Sequence, residues 1–93
     1  MRKYGLIGCG RISPNHIAAA KRNHLVFVGI CDVNAEALNN VAEKFALDGV
    51  CRYLDYHEML KIEKPELVAI ATESGKHAAI AIDCIKAGCN LII

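Results

Sequence analysis

A parallel, doubly wound α/β sheet is the fold class that this 93-residue sequence predicts, from three observations. Strand-length apolar runs alternate with segments of helical period, the connections between them are short, and one run, Leu67-Val68-Ala69-Ile70-Ala71, is apolar at every position. Alternation of the two periods marks βαβ units. A strand without polar positions needs cover on both faces, which a one-sided antiparallel sheet does not give.

Each element has its own signal. Tyr4-Gly5-Leu6-Ile7 is a first strand that ends in Gly8, and the segment containing Ala18, Ala19 and Ala20 follows it as a helix. Leu25 to Cys31 reads as a buried second strand. From Ala35 to Phe45, residues Leu38, Val41, Ala42 and Phe45 fall at i, i+3, i+4 and i+7, the stripe of a helix lying on a sheet. Val50-Cys51-Arg52-Tyr53 is a brief third strand after Gly49. Asp55 and Glu58 have capping-box spacing for a helix through Met59 and Leu60, which Pro65 stops. After the fourth strand, a last helix is predicted to bury Ala78, Ala81, Ile82 and Ile85, with Gly88 as its C-cap. Leu91-Ile92-Ile93 opens a fifth strand, at which the sheet is expected to be truncated. No linker, repeat or low-complexity stretch divides residues 1–93.

The chemistry is concentrated in Gly8-Cys9-Gly10-Arg11-Ile12-Ser13. Gly8 lets the chain turn sharply after the strand, and Gly10 lets a pyrophosphate approach backbone N–H groups at the positive end of the helix. Ser13 stands where a third glycine or alanine is usual and is small enough for close helix–strand packing. A glycine pair alone is common turn punctuation. A second strand ending in an acid about 20 residues later makes it specific, and Asp32 stands 22 residues after Gly10. The combination predicts a Rossmann-type dinucleotide-binding domain, with Asp32 on the adenosine ribose, capping the next helix together with Asn34, or both. Gly8, Gly10, Asp32 and Thr72 all fall at carboxyl ends of strands, where such sheets bind ligands.

Composition excludes other partners. Eleven basic and ten acidic residues give a formal charge of +1 with no run of one sign, so no nucleic-acid or anionic-membrane footprint is visible. No apolar stretch approaches the roughly 18–20 residues of a bilayer span, and a cytoplasmic protein is expected. The five cysteines include no C-x-x-C pair and read as reduced packing thiols. Cys9 would be reactive only if the helix N-terminus lowered its pKa. His16 reads as a packed or surface residue, His24 and His57 lack partners at metal-ligand spacing, and no metal is expected.

Taken together, Gly8-Cys9-Gly10-Arg11-Ile12 with His16, Cys31-Asp32, Ala71-Thr72 with His77, and Ala87-Gly88 before an apolar strand resemble the N-terminal domain of the glucose–fructose oxidoreductase, inositol dehydrogenase and MocA family. The resemblance covers essentially the whole chain, although Glu73 replaces the family's proline after the threonine. It implies that the Gly8 to Ile12 stretch, Cys9 included, holds the cofactor, with Thr72 and His77 lining the nicotinamide side. The alternatives are that Thr72 caps the last helix and that His77 is a partly exposed first-turn residue. It implies a polyol or sugar substrate and a second domain after the fifth strand, while the Asp32 carboxylate, a like charge for a 2′-phosphate, predicts NAD in preference to NADP. The resemblance also implies a Glu-Lys-Pro motif immediately after the fifth strand, whose lysine contributes to catalysis, with the separate domain supplying a catalytic histidine, substrate contacts and a homo-oligomer interface, so no catalytic residue is assigned in residues 1–93. Glu63-Lys64-Pro65 spells the tripeptide in the wrong place, before the fourth strand, and Lys64 is expected roughly 15–20 Å from the cofactor edge. The Gly8 to His16 stretch also resembles members acting on UDP-linked amino-sugar acids. Two other readings stay open: a non-catalytic nucleotide sensor and the nucleotide domain of an amino-acid-pathway dehydrogenase or reductase.

Overall fold

The computed structural model describes residues 2–10, 13–47, 49–72 and 74–92. Nine elements alternate along the chain: β1 (Lys3–Ile7), α1 (Ser13–Arg22), β2 (Val26–Cys31), α2 (Ala35–Lys44), β3 (Cys51–Tyr53), α3 (Tyr56–Glu63), β4 (Leu67–Ile70), α4 (Ser74–Lys86) and β5 (Asn90–Ile92). The strands form one sheet in the order β3-β2-β1-β4-β5, and every pairing is parallel. The predicted Rossmann-type architecture is the one found. The order reverses between β1 and β4, which opens a crevice at their carboxyl ends.

Period-two alternation divides the core into two layers. Leu6, Ile30 and Ala69 face α1 and α2 with Ile17, Ala20, Leu38 and Ala42, whereas Ile7, Cys31, Val68 and Ile70 face α3 and α4 with Met59, Leu60, Ile80 and Cys84. The α2 stripe lies as its periodicity predicts, with Leu38 and Ala42 buried and Val41 and Phe45 packed against them. Met59 is fully buried across the sheet, its Cγ only 2.9 Å from where a Cβ on Gly29 would sit. No sequence pattern announced that contact.

The α4 stripe differs from expectation. Ile82 and Ile85 are 52% and 62% exposed and Ala78 is exposed, while Ile80 and Cys84 form the buried face. The run Ala78-Ala79-Ile80-Ala81-Ile82 is apolar on nearly every side, so periodicity leaves the rotation of the helix undetermined. The link to β5 fixes it. Gly88 takes φ +86 as the C-cap and Cys89 N donates to Cys84 O at 3.0 Å, which places Cys84 and Cys89 in the core.

α3 starts where the Asp55 cap predicts, with Asp55 Oδ1 accepting from His57 N at 2.9 Å. It ends at a left-handed Lys64 before Pro65. Glu66 N donates to Lys3 O, so Lys64 lies at the amino edge of the sheet, away from the crevice. Among the described residues no helix is long and apolar enough to cross a membrane.

Candidate functional site

The crevice at the carboxyl ends of the strands encloses about 650 Å³. Gly8, Gly10, Asp32 and Thr72 line it, drawn from the ends of β1, β2 and β4, as four of the predicted positions require. Arg11, Ile12 and Glu73 lie outside the described residues.

Gly8 is held by both backbone and space. Its φ is +96, and a Cβ there would meet Ala71 C and Thr72 N at 2.7 Å. Only glycine fits. A Cβ on Gly10 would stand 3.0 Å from Ala71 O. The loop therefore lies directly against the end of β4, and the room left by the missing side chains belongs to the crevice.

The amides of this loop are not equivalent. Gly8 N donates to Cys31 O at 2.7 Å and Cys9 N to Asp32 Oδ2 at 2.8 Å. Both are committed within the protein, so Gly8 contributes the turn and the space, not an amide for a phosphate. Ser13 N and Oγ both donate to Gly10 O, at 3.1 and 2.7 Å, and Ser13 is buried at the start of α1, as close packing at that position demands.

Asp32 is half-buried at the lip of the crevice. It does not cap α2; Asn34 does, accepting from Glu36 N and Ala37 N. Instead Asp32 Oδ1 accepts from Asn34 N at 2.8 Å. Cys9 itself is buried, and burial followed by the Asp32 charge pushes its thiol up to about 12. It is a packing group, not a thiolate nucleophile.

Thr72 sits half-buried above Gly8, and its Oγ1 is buried with no hydrogen-bond partner among the described residues. It is therefore not the cap of α4. His77, half-buried on α4, donates from Nε2 to Thr72 O at 2.9 Å and so holds the Thr72 backbone without lining the crevice. His16 lies near it: burial, then the charge of His77, lowers the His16 pKa.

Sequence reasoning missed the far wall. Leu54 and Asp55 from the β3–α3 connection, Tyr56 and His57 from the start of α3, and Lys76, Ala79 and Ile80 from α4 complete the crevice. The strand-end rule could have found Leu54 and Asp55, which follow β3; Lys76 carried no signal. Among the described residues no three His, Cys, Asp or Glu side chains are grouped to hold a metal.

These features fit a dinucleotide. The glycines leave a backbone cradle that a Cβ would fill, and the orphaned Thr72 Oγ1 is a buried polar atom with a hydrogen bond still to make.

Residues 2–93 match the family described as "Oxidoreductase family, NAD-binding Rossmann fold", that of glucose–fructose oxidoreductase, inositol dehydrogenase and MocA. The chain is 32% identical over 87 residues to D-apiose dehydrogenase of Paraburkholderia graminis and 28% identical over 87 residues to inositol 2-dehydrogenase of Salmonella typhimurium. Those matches cover 92% and 91% of this chain but 23% and 26% of the relatives. The WlbA dehydrogenase of Bordetella pertussis, solved with NADH and UDP-GlcNAcA, superimposes with a TM-score of 0.82 at 38% identity, over 98% of this chain and 28% of its own. The chain thus spans about a quarter of the length of the proteins it matches. It belongs to the glucose–fructose oxidoreductase, inositol dehydrogenase and MocA family of oxidoreductases, as an NAD-binding Rossmann domain.

Proposed function

We propose that residues 1–93 form the cofactor-binding part of an NAD-dependent oxidoreductase that oxidises a secondary hydroxyl on a sugar, cyclitol or sugar nucleotide. The observation that carries this reading is the backbone cradle of Gly8 and Gly10 against Ala71 and Thr72, with the Asp32 carboxylate bonded to the same loop and lining the same crevice. In this reading, amides from Gly10 onward, including those of Arg11 and Ile12, hold the pyrophosphate. Asp32 accepts from the adenosine ribose through the lone pairs that Cys9 N and Asn34 N leave free. Thr72 Oγ1 and the backbone fixed by His77 orient the nicotinamide side.

The nicotinamide, when bound, supplies hydride chemistry; residues 1–93 bind and orient it. The base and the substrate contacts belong to a further domain, for which the extra length of the relatives leaves room. That domain also carries the homo-oligomer interface in this reading. Among substrate classes, the 38% identity to the UDP-GlcNAcA-bound dehydrogenase favours a UDP-linked sugar acid.

Preference for NAD follows from charge. A 2′-phosphate about 4 Å from the Asp32 carboxylate costs up to ~4 kcal/mol at an effective dielectric near 20, and less in a wet site. Arg52, one of the two arginines that could offset it with Arg11, donates to Asn39 Oδ1 at 2.7 Å. Calorimetric titration of NAD and NADP tests this: NAD should bind at least about ten-fold tighter, and Asp32→Ala should collapse the ratio. Equal affinities in the unmutated protein would refute the role of Asp32.

A further inference from the structure

We propose that Asp32 is a positioning residue of the glycine loop, so that cofactor selectivity and the grip on the diphosphate depend on one side chain. The geometry ties it to both. Cys9 N, the amide between the two glycines, donates to Asp32 Oδ2 at 2.8 Å, while Asn34 N holds Oδ1 at 2.8 Å and fixes the plane of the carboxylate. The Asp32 backbone is anchored in turn, its N donating to Tyr53 O at 3.1 Å across β3. A weaker bond runs beside it, from Cys9 Sγ to Cys31 O at 3.9 Å, but the Asp32 carboxylate is the charged acceptor that holds the loop's backbone.

The loop needs such a tie. On its other side it lies against the end of β4, where a Cβ on Gly8 would enter backbone atoms and one on Gly10 would stand 3.0 Å from Ala71 O; Gly8 N to Cys31 O holds the start of the loop, and the Cys9 amide holds its middle. A charge-assisted hydrogen bond to an ionised acceptor is stronger than a neutral one, and it pulls Cys9 toward β2. The Cys9 amide is then turned away from any phosphate, which leaves Gly10 to present its own, since Ser13 N is committed to Gly10 O and Pro14 has no N–H. Asp32 acts on the diphosphate through the loop, without touching it.

Simple electrostatics predicts the opposite sign. Removing a negative charge beside an anion site should tighten diphosphate binding. If Asp32 positions the loop, removing it should weaken that binding instead. The contrast can be isolated from the ribose contact, because adenosine and ADP share the ribose.

The experiment measures the affinities of ADP and adenosine on the intact protein and on Asp32→Ala and Asp32→Asn, with amide hydrogen exchange at Cys9 in the ligand-free state. The ratio of ADP to adenosine affinity should fall about ten-fold in Asp32→Ala, and Cys9 exchange should rise roughly 10- to 100-fold. Asp32→Asn, which retains one acceptor oxygen, should fall between and keeps the test readable should the alanine variant fail to fold. A global loss of stability would weaken both ligands alike and leave the ratio unmoved. An unchanged or increased ratio, or unchanged Cys9 exchange, overturns the proposal. Failure of the ribose reading shows separately, as adenosine affinity indifferent to Asp32.

Discussion

His57 on α3 and Asp83 on α4 are joined across the helical layer, with His57 Nε2 3.1 Å from Asp83 Oδ2 and His57 Nδ1 2.9 Å from Asp55 Oδ1. Tyr56, stacked on the His57 ring, donates to the same Asp83 oxygen. The imidazole can donate to both carboxylates only when protonated. The Asp55 hydrogen bond first, and that of Asp83 with it, raise the His57 pKa; the hydrogen bond from His57 N lowers Asp55, and that from Tyr56 lowers Asp83.

A pH window follows. A histidine raised in the folded state adds stability that is fully present below its unfolded value of about 6.5 and is lost as pH rises through the higher folded value. The two carboxylates, lowered in the folded state, contribute above their unfolded values near 4 and lose that contribution as pH falls. The difference in melting temperature between wild type and His57→Gln should be widest at about pH 5–6 and should shrink above about pH 8. A difference independent of pH would show that the clasp carries no charge.

Gly8→Ala should cost roughly 1–3 kcal/mol in urea unfolding and abolish NAD binding, since the new Cβ would enter backbone atoms of Ala71 and Thr72 at φ +96. Gly49→Ala is the control, because a Cβ there meets nothing within 4 Å. Equal stability of the two variants would mean that the loop has another conformation available.

Thiol labelling checks the Cys9 assignment. In the native protein at pH 8, Cys51, the exposed cysteine, should alkylate first, while Cys9, Cys31, Cys84 and Cys89, all buried, stay protected until denaturant is added. Rapid modification of Cys9, protected by NAD, would indicate a thiolate that its surroundings argue against.

Gly29→Ala should destabilise the fold by about 1–3 kcal/mol through the clash with Met59, and Met59→Leu should not rescue it fully. Chemical denaturation of the single and double variants measures the coupling. Additive effects would mean that the Met59 contact is not what constrains Gly29.

Fold class and the crevice's location were legible in the sequence because both rest on local rules. Alternating periods, the Gly8 turn, the Asn34 and Asp55 caps and the Gly88 stop are set within a few residues of themselves, and the strand-end rule carries Asp32 and Thr72 to the same edge as Gly8. The rotation of α4 was not legible, because a helix apolar on most sides has no single best face until β4 and β5 fix its two ends. The uses of the loop's groups were not legible either. Whether Gly8 N, Cys9 N and Asp32 serve a ligand or the protein depends on which atoms the parallel register brings within 3 Å, and residues 23 positions apart meet only once β1 and β2 are paired. The sequence by itself determined a nucleotide-binding α/β domain with its crevice; tertiary structure alone decided which amides remain to bind, and that His57 clasps two helices, because hydrogen bonds are short-ranged and directional while hydrophobic periodicity is neither.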